Sequence, residues 1–253
     1  VRYWAGSGRL GTDIVFSEET LDRGRKLINK IWNVAKFIEM HLQDFEDRDF
    51  QNYEYIDKWI LGKYQEMEAG FIKYLDEYEV GLALNHLEKF FWNFCDNYVE
   101  IVKHRLYRPE EFGVEPRYSG QKTVYMILYK LLQDFSIFFP FITEEIYQEI
   151  YHKEKSIHLT TIKEFDFNFK EEAKFGDLMV EIISAARGEK TVNNVSLKTP
   201  IKNLDLSVSE ELKKAIEESI KDFKATLFIE NLNFVATCEN YEIKKIELDL
   251  EAE

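Results

Sequence analysis

The sequence predicts a mainly α-helical protein, in which an antiparallel helical bundle is followed by a small α+β subdomain at the C-terminal end. Apolar residues recur at spacings of three and four through most of residues 18–152, as they do on amphipathic helices. The links between these segments are short, which favours antiparallel neighbours. Beyond His152 short strand-like runs replace the helical period. We therefore predict a lead-in at residues 1–17, a bundle at 18–152 and an α+β subdomain at 153–253.

The composition is that of an ordered globular protein. The chain has 253 residues, of which 45% are hydrophobic and 15% aromatic, so its core can be large. No apolar run approaches about 20 residues, and we expect no membrane span. Cys95 and Cys238 form no disulfide framework, and neither they nor the five histidines show metal-ligand spacing. We expect a monomer in a reducing cytoplasm, without a metal site.

The net charge of -14 argues against a broad nucleic-acid surface, which is usually basic. Any contact with RNA must therefore be local and sensitive to salt. Two basic clusters are the candidates for phosphate contacts. The first contains Arg23, Arg25, Lys26 and Lys30, and the second contains Lys103, His104, Arg105 and Arg108.

The first long helix is predicted from Ser17 to about Asp44. A short helix and a turn at Gly11-Thr12-Asp13 precede it within residues 1–17. Ser17 is a suitable N-cap, because its hydroxyl can accept a hydrogen bond from a main-chain N–H of the first turn. Acidic residues follow in that turn, where the helix dipole favours them.

This helix carries two stripes of side chains. The apolar stripe consists of Leu27, Ile31, Ala35, Ile38 and Leu42. The second stripe, turned by about a third of a circle, consists of Arg23, Lys26, Lys30, Asn33 and Phe37. Lysine can contact phosphate, asparagine can pair with a base edge, and phenylalanine can stack on a base. Taken alone, these residues favour a solvated helix face, with base reading as the alternative.

The rest of the bundle is predicted from the same helical period. Further helices are expected at residues 53–78, 80–107, 121–138 and 142–151. Pro109 and the Gly113–Gly120 region interrupt the pattern. Large aromatic residues at helical spacing, Trp92 and Phe141 among them, are predicted to lie in the core.

The C-terminal part mixes strands with helices. The strand-like runs are Ile157–Leu159, Ile201–Leu206, Ala225–Ile229, Asn233–Ala236 and Ile243–Leu248. The helical periods in this part cover residues 171–188 and 209–222. Together they predict the small α+β subdomain.

Several motifs carry a resemblance to a known family. The run from Arg2 to Asp13 leads into the helix with Asn29-Lys30-Ile31-Trp32-Asn33, and three later motifs are Phe91–Tyr98, Phe139–Tyr147 and Ser156–Leu159. In this order, over residues 1 to about 200, they resemble the region after the catalytic domain of the valyl-tRNA synthetase family, which belongs to the class I aminoacyl-tRNA synthetases. Isoleucyl and leucyl synthetases share the first helix motif and remain an alternative. The Ser7-x-Arg9-Leu10-Gly11-x-Asp13 lead-in favours the valine family.

The resemblance implies a role in tRNA binding. In this family the first long helix reads the middle and third anticodon bases. The resemblance therefore implies that Lys30, Asn33, Lys36 and Phe37 read the anticodon of the tRNA for valine. Bacterial relatives often have arginine at Lys36, and a lysine lacks the planar fork needed for bidentate pairing. We expect further contacts with the tRNA backbone by Arg9, Arg23 and Lys26. For Arg9, a structural ion pair with Asp13 is an equally weighted alternative.

The sequence predicts no catalysis by this chain alone. The His-Ile-Gly-His and Lys-Met-Ser-Lys-Ser motifs of class I synthetases are absent from it, and no nucleophile–base constellation replaces them. The resemblance implies that the full-length enzyme uses ATP and magnesium, whereas this region has no cofactor and no catalytic residue. A helical protein-interaction scaffold is the alternative from a different functional class, since acidic charge and aromatic residues also suit it.

Overall fold

The computed structural model describes residues 1–250 except 12, 14, 153–154 and 163–164. The protein is mainly α-helical with one three-stranded sheet near the C-terminal end, which confirms the predicted fold class. Among the described residues, no helix combines the length and the apolar character that crossing a membrane requires. The predicted turn at Gly11-Thr12-Asp13 falls partly outside the described residues, because Thr12 is not among them.

The chain divides into two compact units, each built from three chain segments. Unit 1 consists of residues 1–49, 63–95 and 121–167, and unit 2 of residues 50–62, 96–120 and 168–253. The predicted boundaries at residues 17/18 and 152/153 stay a prediction.

The helices fall in the following order along the chain. They are α1 Arg2–Gly6, α2 Glu18–His41, α3 Tyr55–Asp76, α4 Val80–Asn93, α5 Val99–Tyr107, α6 Pro109–Phe112, α7 Val114–Phe135, α8 Pro140–Tyr151, α9 Lys170–Val192, α10 Glu210–Glu218 and α11 Ile220–Leu227. A π-helical segment, Phe94–Tyr98, separates α4 from α5, where the sequence predicts one regular helix.

Helix α2 of unit 1 begins as predicted. The Ser17 hydroxyl accepts a hydrogen bond from the Thr20 N–H at 3.2 Å, and Glu18 and Glu19 occupy the first turn. One side of α2 packs against α1 and α8. The residues buried on that side are Gly24, Leu27, Ile31, Val34, Ala35, Ile38 and His41, so the predicted apolar stripe lies in the core except for Leu42 at the helix end.

The core of unit 1 contains a buried polar cluster. Tyr64 donates a hydrogen bond to Asp134 Oδ2 at 2.6 Å, and Lys130 pairs with Glu68 at 2.5 Å. These four side chains are at most 4% exposed. Burial is the main cause that raises the pKa of Asp134 to about 7.

The core of unit 2 is organised around a buried arginine on α5. The Arg105 guanidinium makes two hydrogen bonds of 2.9 Å to the Asp57 carboxylate and one of 2.9 Å to Asp222 Oδ1. Asp57 also accepts hydrogen bonds from Tyr98 and Ser119. The three charged side chains lie on α3, α5 and α11, so this network joins separate helices of the unit.

The sheet of unit 2 has the strand order β2-β1-β3. Its strands are β1 Ile201–Val208, β2 Ile229–Ala236 and β3 Tyr241–Leu248. The central strand β1 pairs parallel with β2 and antiparallel with β3. Leu204 and Leu206 of β1 are fully buried, whereas most of β2 beyond Ile229 is exposed on the outer edge.

Several further local predictions are wrong. The helical period over residues 209–222 is divided at Ser219 into α10 and α11. Ile157–Leu159 forms a 3-10 turn and not a strand, because Ser156 Oγ and a Glu144 carboxylate oxygen accept its first N–H groups. Residues Ala225–Leu227 continue helix α11, which ends at Phe228 with φ of 58°, and the strand begins only at Ile229. Helix α7 begins at Val114, ahead of the predicted start at 121, because a proline in the first turn needs no helical N–H partner.

Candidate nucleic-acid interface

The predicted anticodon-reading residues lie together on the solvent side of α2. Lys30, Asn33, Lys36 and Phe37 fall within an arc of about 120° around the helix axis, at 3.6 residues per turn. The opposite side of the helix is the buried stripe that fixes α2 in unit 1. Asn33 is exposed, and the other three side chains are partly exposed. Helix α2 therefore presents two cations, an amide and an aromatic ring on one face, which we call the α2 face.

Lys30 lies against an aromatic ring from α4. Its Nζ is 5.5 Å from the centre of the Trp92 ring, a distance typical of a cation–π contact. The Trp92 side chain is 37% exposed, so the prediction that it belongs to the core is wrong. Spacing along α4 could not reveal this tryptophan as a neighbour of α2, because 62 residues separate the two.

Lys36 is held by two carboxylates. Its Nζ is 3.0 Å from a Glu39 oxygen one turn ahead on α2 and 2.5 Å from Glu149 Oε1 on α8. The hydrogen bonds to Glu149 and Glu39 raise the pKa of Lys36 above its usual value. The same Nζ lies 5.0 Å from the centre of the Trp32 ring. Lys36 is thus charged and fixed in position, but its charge is balanced within the protein.

Phe37 is positioned by a buried histidine. The rings of Phe37 and His41 meet edge to face with 4.6 Å between their centres. His41 is 5% exposed, so the contact anchors one side of the Phe37 ring while the ring stays partly accessible. A ring held in this way can offer its remaining surface for stacking.

The three predicted backbone contacts carry exposed charges near this face or in the lead-in. Arg9 forms an ion pair of 3.6 Å with Glu79, and Arg23 forms one of 4.0 Å with Glu88. Lys26 is exposed. Surface ion pairs of this kind contribute little free energy. Phosphate groups could therefore replace these carboxylates at small cost.

The second predicted basic cluster is divided in the structure between a buried residue and exposed ones. Arg105 is 1% exposed and belongs to the core network of unit 2, so the prediction of a phosphate contact by this residue is wrong. Lys103 and His104 on α5, and Arg108 at its C-terminal cap, stay at least partly exposed. The core prediction for Phe141 also fails, because that side chain is 90% exposed.

Among the described residues, no group of three or more histidine, cysteine, aspartate or glutamate side chains is arranged to hold a metal ion. Sequence reasoning found the four residues of the α2 face but missed Trp92 and Glu149, which reach this face from α4 and α8.

Comparison with known proteins identifies related sequences. Residues 57–206 match the family described as the anticodon-binding domain of tRNA ligase, a range that begins after α2. Among curated proteins, the chain is 36% identical to the valine–tRNA ligase of Rickettsia felis over 234 residues, which covers 88% of this chain and 27% of that protein. It is 37% identical to the enzyme of Rickettsia canadensis over 84% of this chain and 28% of that protein.

A third relative aligns over more of the chain. The chain is 34% identical to the valine–tRNA ligase of Rickettsia prowazekii over 258 aligned positions, covering 96% of this chain and 31% of that protein. The chain therefore spans less than a third of the length of these curated relatives. The match over residues 57–206 covers more than half of the chain, and the chain belongs to the family of anticodon-binding domains of tRNA ligases.

Proposed function

We propose that this chain is the anticodon-binding part of a valine–tRNA ligase and that the α2 face reads the anticodon of the tRNA for valine. The observation that carries the proposal is the grouping of Lys30, Asn33, Lys36 and Phe37 on one solvent-facing side of a helix whose other side is locked in a core. The names of the Rickettsia relatives support valine as the amino acid.

Each side chain has a chemical task in this proposal. Phe37 stacks on an unpaired base, and Asn33 forms hydrogen bonds with a base edge. Lys30 and Lys36 supply positive charge to phosphate or to base acceptors. Trp92 adds an exposed ring beside Lys30, where a second base can stack. The anchored helix keeps these groups in fixed positions, so binding costs little conformational entropy.

Catalysis belongs elsewhere in this proposal. We expect this chain to bind tRNA as a monomer in the cytoplasm and to have no aminoacylation activity. ATP, magnesium and the activation of valine belong to a catalytic domain that this chain does not contain. The contribution of the chain is orientation, because a tRNA held by its anticodon presents its acceptor end at a defined place.

Binding to two RNA hairpins tests the proposal. One hairpin has a valine anticodon with A in the middle and C in the third position, and the other has these two bases exchanged. We expect the chain to prefer the valine hairpin at low and moderate salt. Asn33→Ala and Phe37→Ala should each remove most of this preference, since loss of one stacked base alone costs about 1–3 kcal/mol.

A matched lysine pair separates base reading from general charge. Lys30→Ala should weaken binding, whereas Lys73→Ala, at an exposed lysine of α3 in the same unit, should leave the preference unchanged. Equal binding of both hairpins by the unmodified chain, governed only by salt, would overturn the assignment of anticodon reading to α2.

A further inference from the structure

Helix α5 of unit 2 has a basic and aromatic face that the proposed anticodon site does not use. Lys103, His104 and Tyr107 share one side of the helix, and Arg108 follows directly as the residue at its C-terminal cap. The other side, which contains Arg105, is buried. Tyr107 is 56% exposed. Basic residues interleaved with an accessible aromatic ring are typical of surfaces that bind nucleic acid.

A groove beside this face adds more positive charge. It has a volume of about 380 Å³, and its lining includes Arg108, Glu111, Phe112, Lys221, Lys224 and Phe228. Three cations thus line it against one carboxylate. Arg108 is paired with that carboxylate at 3.3 Å.

The two lysines of α11 donate to main-chain carbonyls. Lys224 donates to the Glu230 main-chain carbonyl at 2.6 Å, and Lys221 lies 3.5 Å from the Glu111 carbonyl. Within the described part of the chain, neither forms an ion pair with a carboxylate. Main-chain carbonyls orient the ammonium groups without neutralising them, and Glu54 has a Coulombic interaction with Lys221. A phosphate entering the groove therefore meets two lysines that no ion pair among the described residues holds.

Neighbouring basic groups lie in the same region. Burial lowers the pKa of His104, Lys103 and Arg108 lower it further, and Glu100 and Glu111 partly oppose them. Lys103 itself is paired with Glu100. Burial and the Arg187 cation lower the pKa of Lys190 to about 8. Arg187 is half-buried, and its guanidinium has no hydrogen bond or ion pair with any residue that the structure describes.

The ring of Phe228 joins these groups into one region of unit 2. The His104 ring meets it edge to face with 5.9 Å between centres, and Lys190 Nζ lies 5.6 Å from its centre. Phe228 and the buried Phe112 also line the groove. The groove therefore offers apolar surface next to cations, which suits a ribose–phosphate chain.

We propose that this region is a second RNA-binding site that holds the sugar–phosphate backbone without reading bases. It is defined by Lys103, His104 and Tyr107 on α5, Arg108 at the C-terminal cap of α5, and Lys221 and Lys224 on α11. We call it the α5/α11 site. It rests on the proposed function, because the RNA is the tRNA that the α2 face reads. In a chain with a net charge of -14, a cationic groove with apolar walls favours a polyanion that also offers sugar and base surfaces.

The test measures binding of the 253-residue chain to two tRNA transcripts across a range of salt concentrations. One transcript has the valine anticodon and the other has its middle and third bases exchanged. We expect the double substitution Arg108→Glu with Lys224→Glu to weaken binding of both transcripts at least tenfold. The slope of log affinity against log salt should become shallower by about 0.7–0.9 for each lost phosphate contact, and the ratio between the transcripts should not change.

Matched variants keep the result interpretable. The double change Arg108→Gln with Lys224→Gln removes the charges without introducing acids, and should give a smaller loss in the same direction. Lys214→Glu on α10, at a side chain 79% exposed, alters charge outside the site and should leave affinity within about twofold, as expected for one screened surface charge. Thermal unfolding of each variant confirms that it is folded.

The outcomes distinguish this proposal from the proposed function. Unchanged affinity and salt slope in both double variants would overturn the α5/α11 site, as would equal binding of poly-glutamate and RNA by the unmodified chain. If the unmodified chain binds both transcripts equally but the double variants still lose affinity and salt dependence, anticodon reading fails and the backbone site stands. If Phe37→Ala abolishes the preference while the double variants retain it at reduced affinity, both proposals stand.

Discussion

Lys36 on α2 and Glu149 on α8 form an ion pair of 2.5 Å, although 113 residues separate them in the sequence. Glu39 holds the same ammonium group at 3.0 Å. The predicted base-reading cation of this protein is therefore occupied by two internal anions. Two of the three N–H donors of Lys36 are used within the protein, so an RNA ligand reaches this cation through the third donor or by displacing a carboxylate.

Removing the distant carboxylate should strengthen RNA binding. Glu149→Gln keeps the size of the side chain but leaves Lys36 with only Glu39 as an anionic partner. We expect the affinity for a valine-anticodon hairpin to rise several-fold at low salt, and less at high salt, because exposed charges are screened. Fluorescence anisotropy with labelled hairpin measures the change.

A matched substitution is available on the same helix. Glu145→Gln on α8 removes one carboxylate of the same type at a position where the structure gives no ion pair with Lys36. It should have a smaller effect than Glu149→Gln. Equal gains from the two substitutions would mean that general charge, and not the pairing with Lys36, controls affinity.

Loss of the buried arginine should destabilise unit 2. Arg105→Met removes the cation that Asp57 and Asp222 share and leaves two buried carboxyl groups without it. Breaking a buried ion pair in this way costs about 3–5 kcal/mol. Urea unfolding at pH 7 measures the loss. Lys214→Met, at an exposed position, should change the free energy of unfolding by less than about 0.5 kcal/mol.

The contribution of Asp134 to the free energy of unfolding should decrease as pH rises. Burial raises its pKa in the folded chain to about 7 from the usual 3.8, so the folded state holds the proton more tightly than the unfolded state. Its contribution to stability is fully present below pH 4 and is lost as pH rises through 7. Asp134→Asn should keep the hydrogen bond from Tyr64 and remove this loss.

Unfolding free energies of the two chains between pH 4 and pH 8 test this sign. Relative to Asp134→Asn, the unmodified chain should lose stability steadily from pH 4 to 7 and then level off. A difference between the chains that stays constant over this range would contradict a raised pKa at Asp134.

A glycine of α9 is required by the close approach of an indole ring. A Cβ added at Gly176 would lie 2.2 Å from Cγ of Trp59, which is fully buried and donates to Asp177 Oδ1 at 2.9 Å. Gly176→Ala should therefore lower the free energy of unfolding by about 1–3 kcal/mol, despite the better helix propensity of alanine.

Gly188 provides the control within the same helix. A Cβ added there would have no neighbour within 4 Å. Gly188→Ala should therefore stabilise the chain by up to about 1 kcal/mol through propensity alone. Urea unfolding of the two variants side by side should give effects of opposite sign. Similar effects would show that the packing at Trp59 is not what requires a glycine.

Local signals explain the successful parts of the sequence prediction. Helix α2 begins at the capping serine and buries most of the predicted stripe, because the cap and the helical period act within a few residues. Strand β1 also appears where it was predicted. By contrast, Ala225–Leu227 has a strand-like composition but completes the last turn of α11, since packing of the helix outweighs weak local propensity.

In the candidate sites, too, local spacing was predictable from the sequence and contacts between distant helices were not. The residues of the α2 face share one helix, so spacing alone groups them. Trp92 and Glu149 come from other helices, and Arg105 changes from a predicted phosphate contact to a core residue because two distant aspartates meet it. Such tertiary contacts leave no period in the sequence.

The Arg105 network also sets an order of events while the chain is being made. Asp57 is synthesised before Arg105, but Asp222 follows Arg105 by 117 residues. At typical synthesis rates of about 5–20 residues per second, roughly 6–23 s pass between the synthesis of Arg105 and that of Asp222. During that interval unit 2 lacks α11, so it reaches its native core only when nearly all of this sequence has left the ribosome. A nascent chain halted before residue 222 should thus be open to proteases in unit 2.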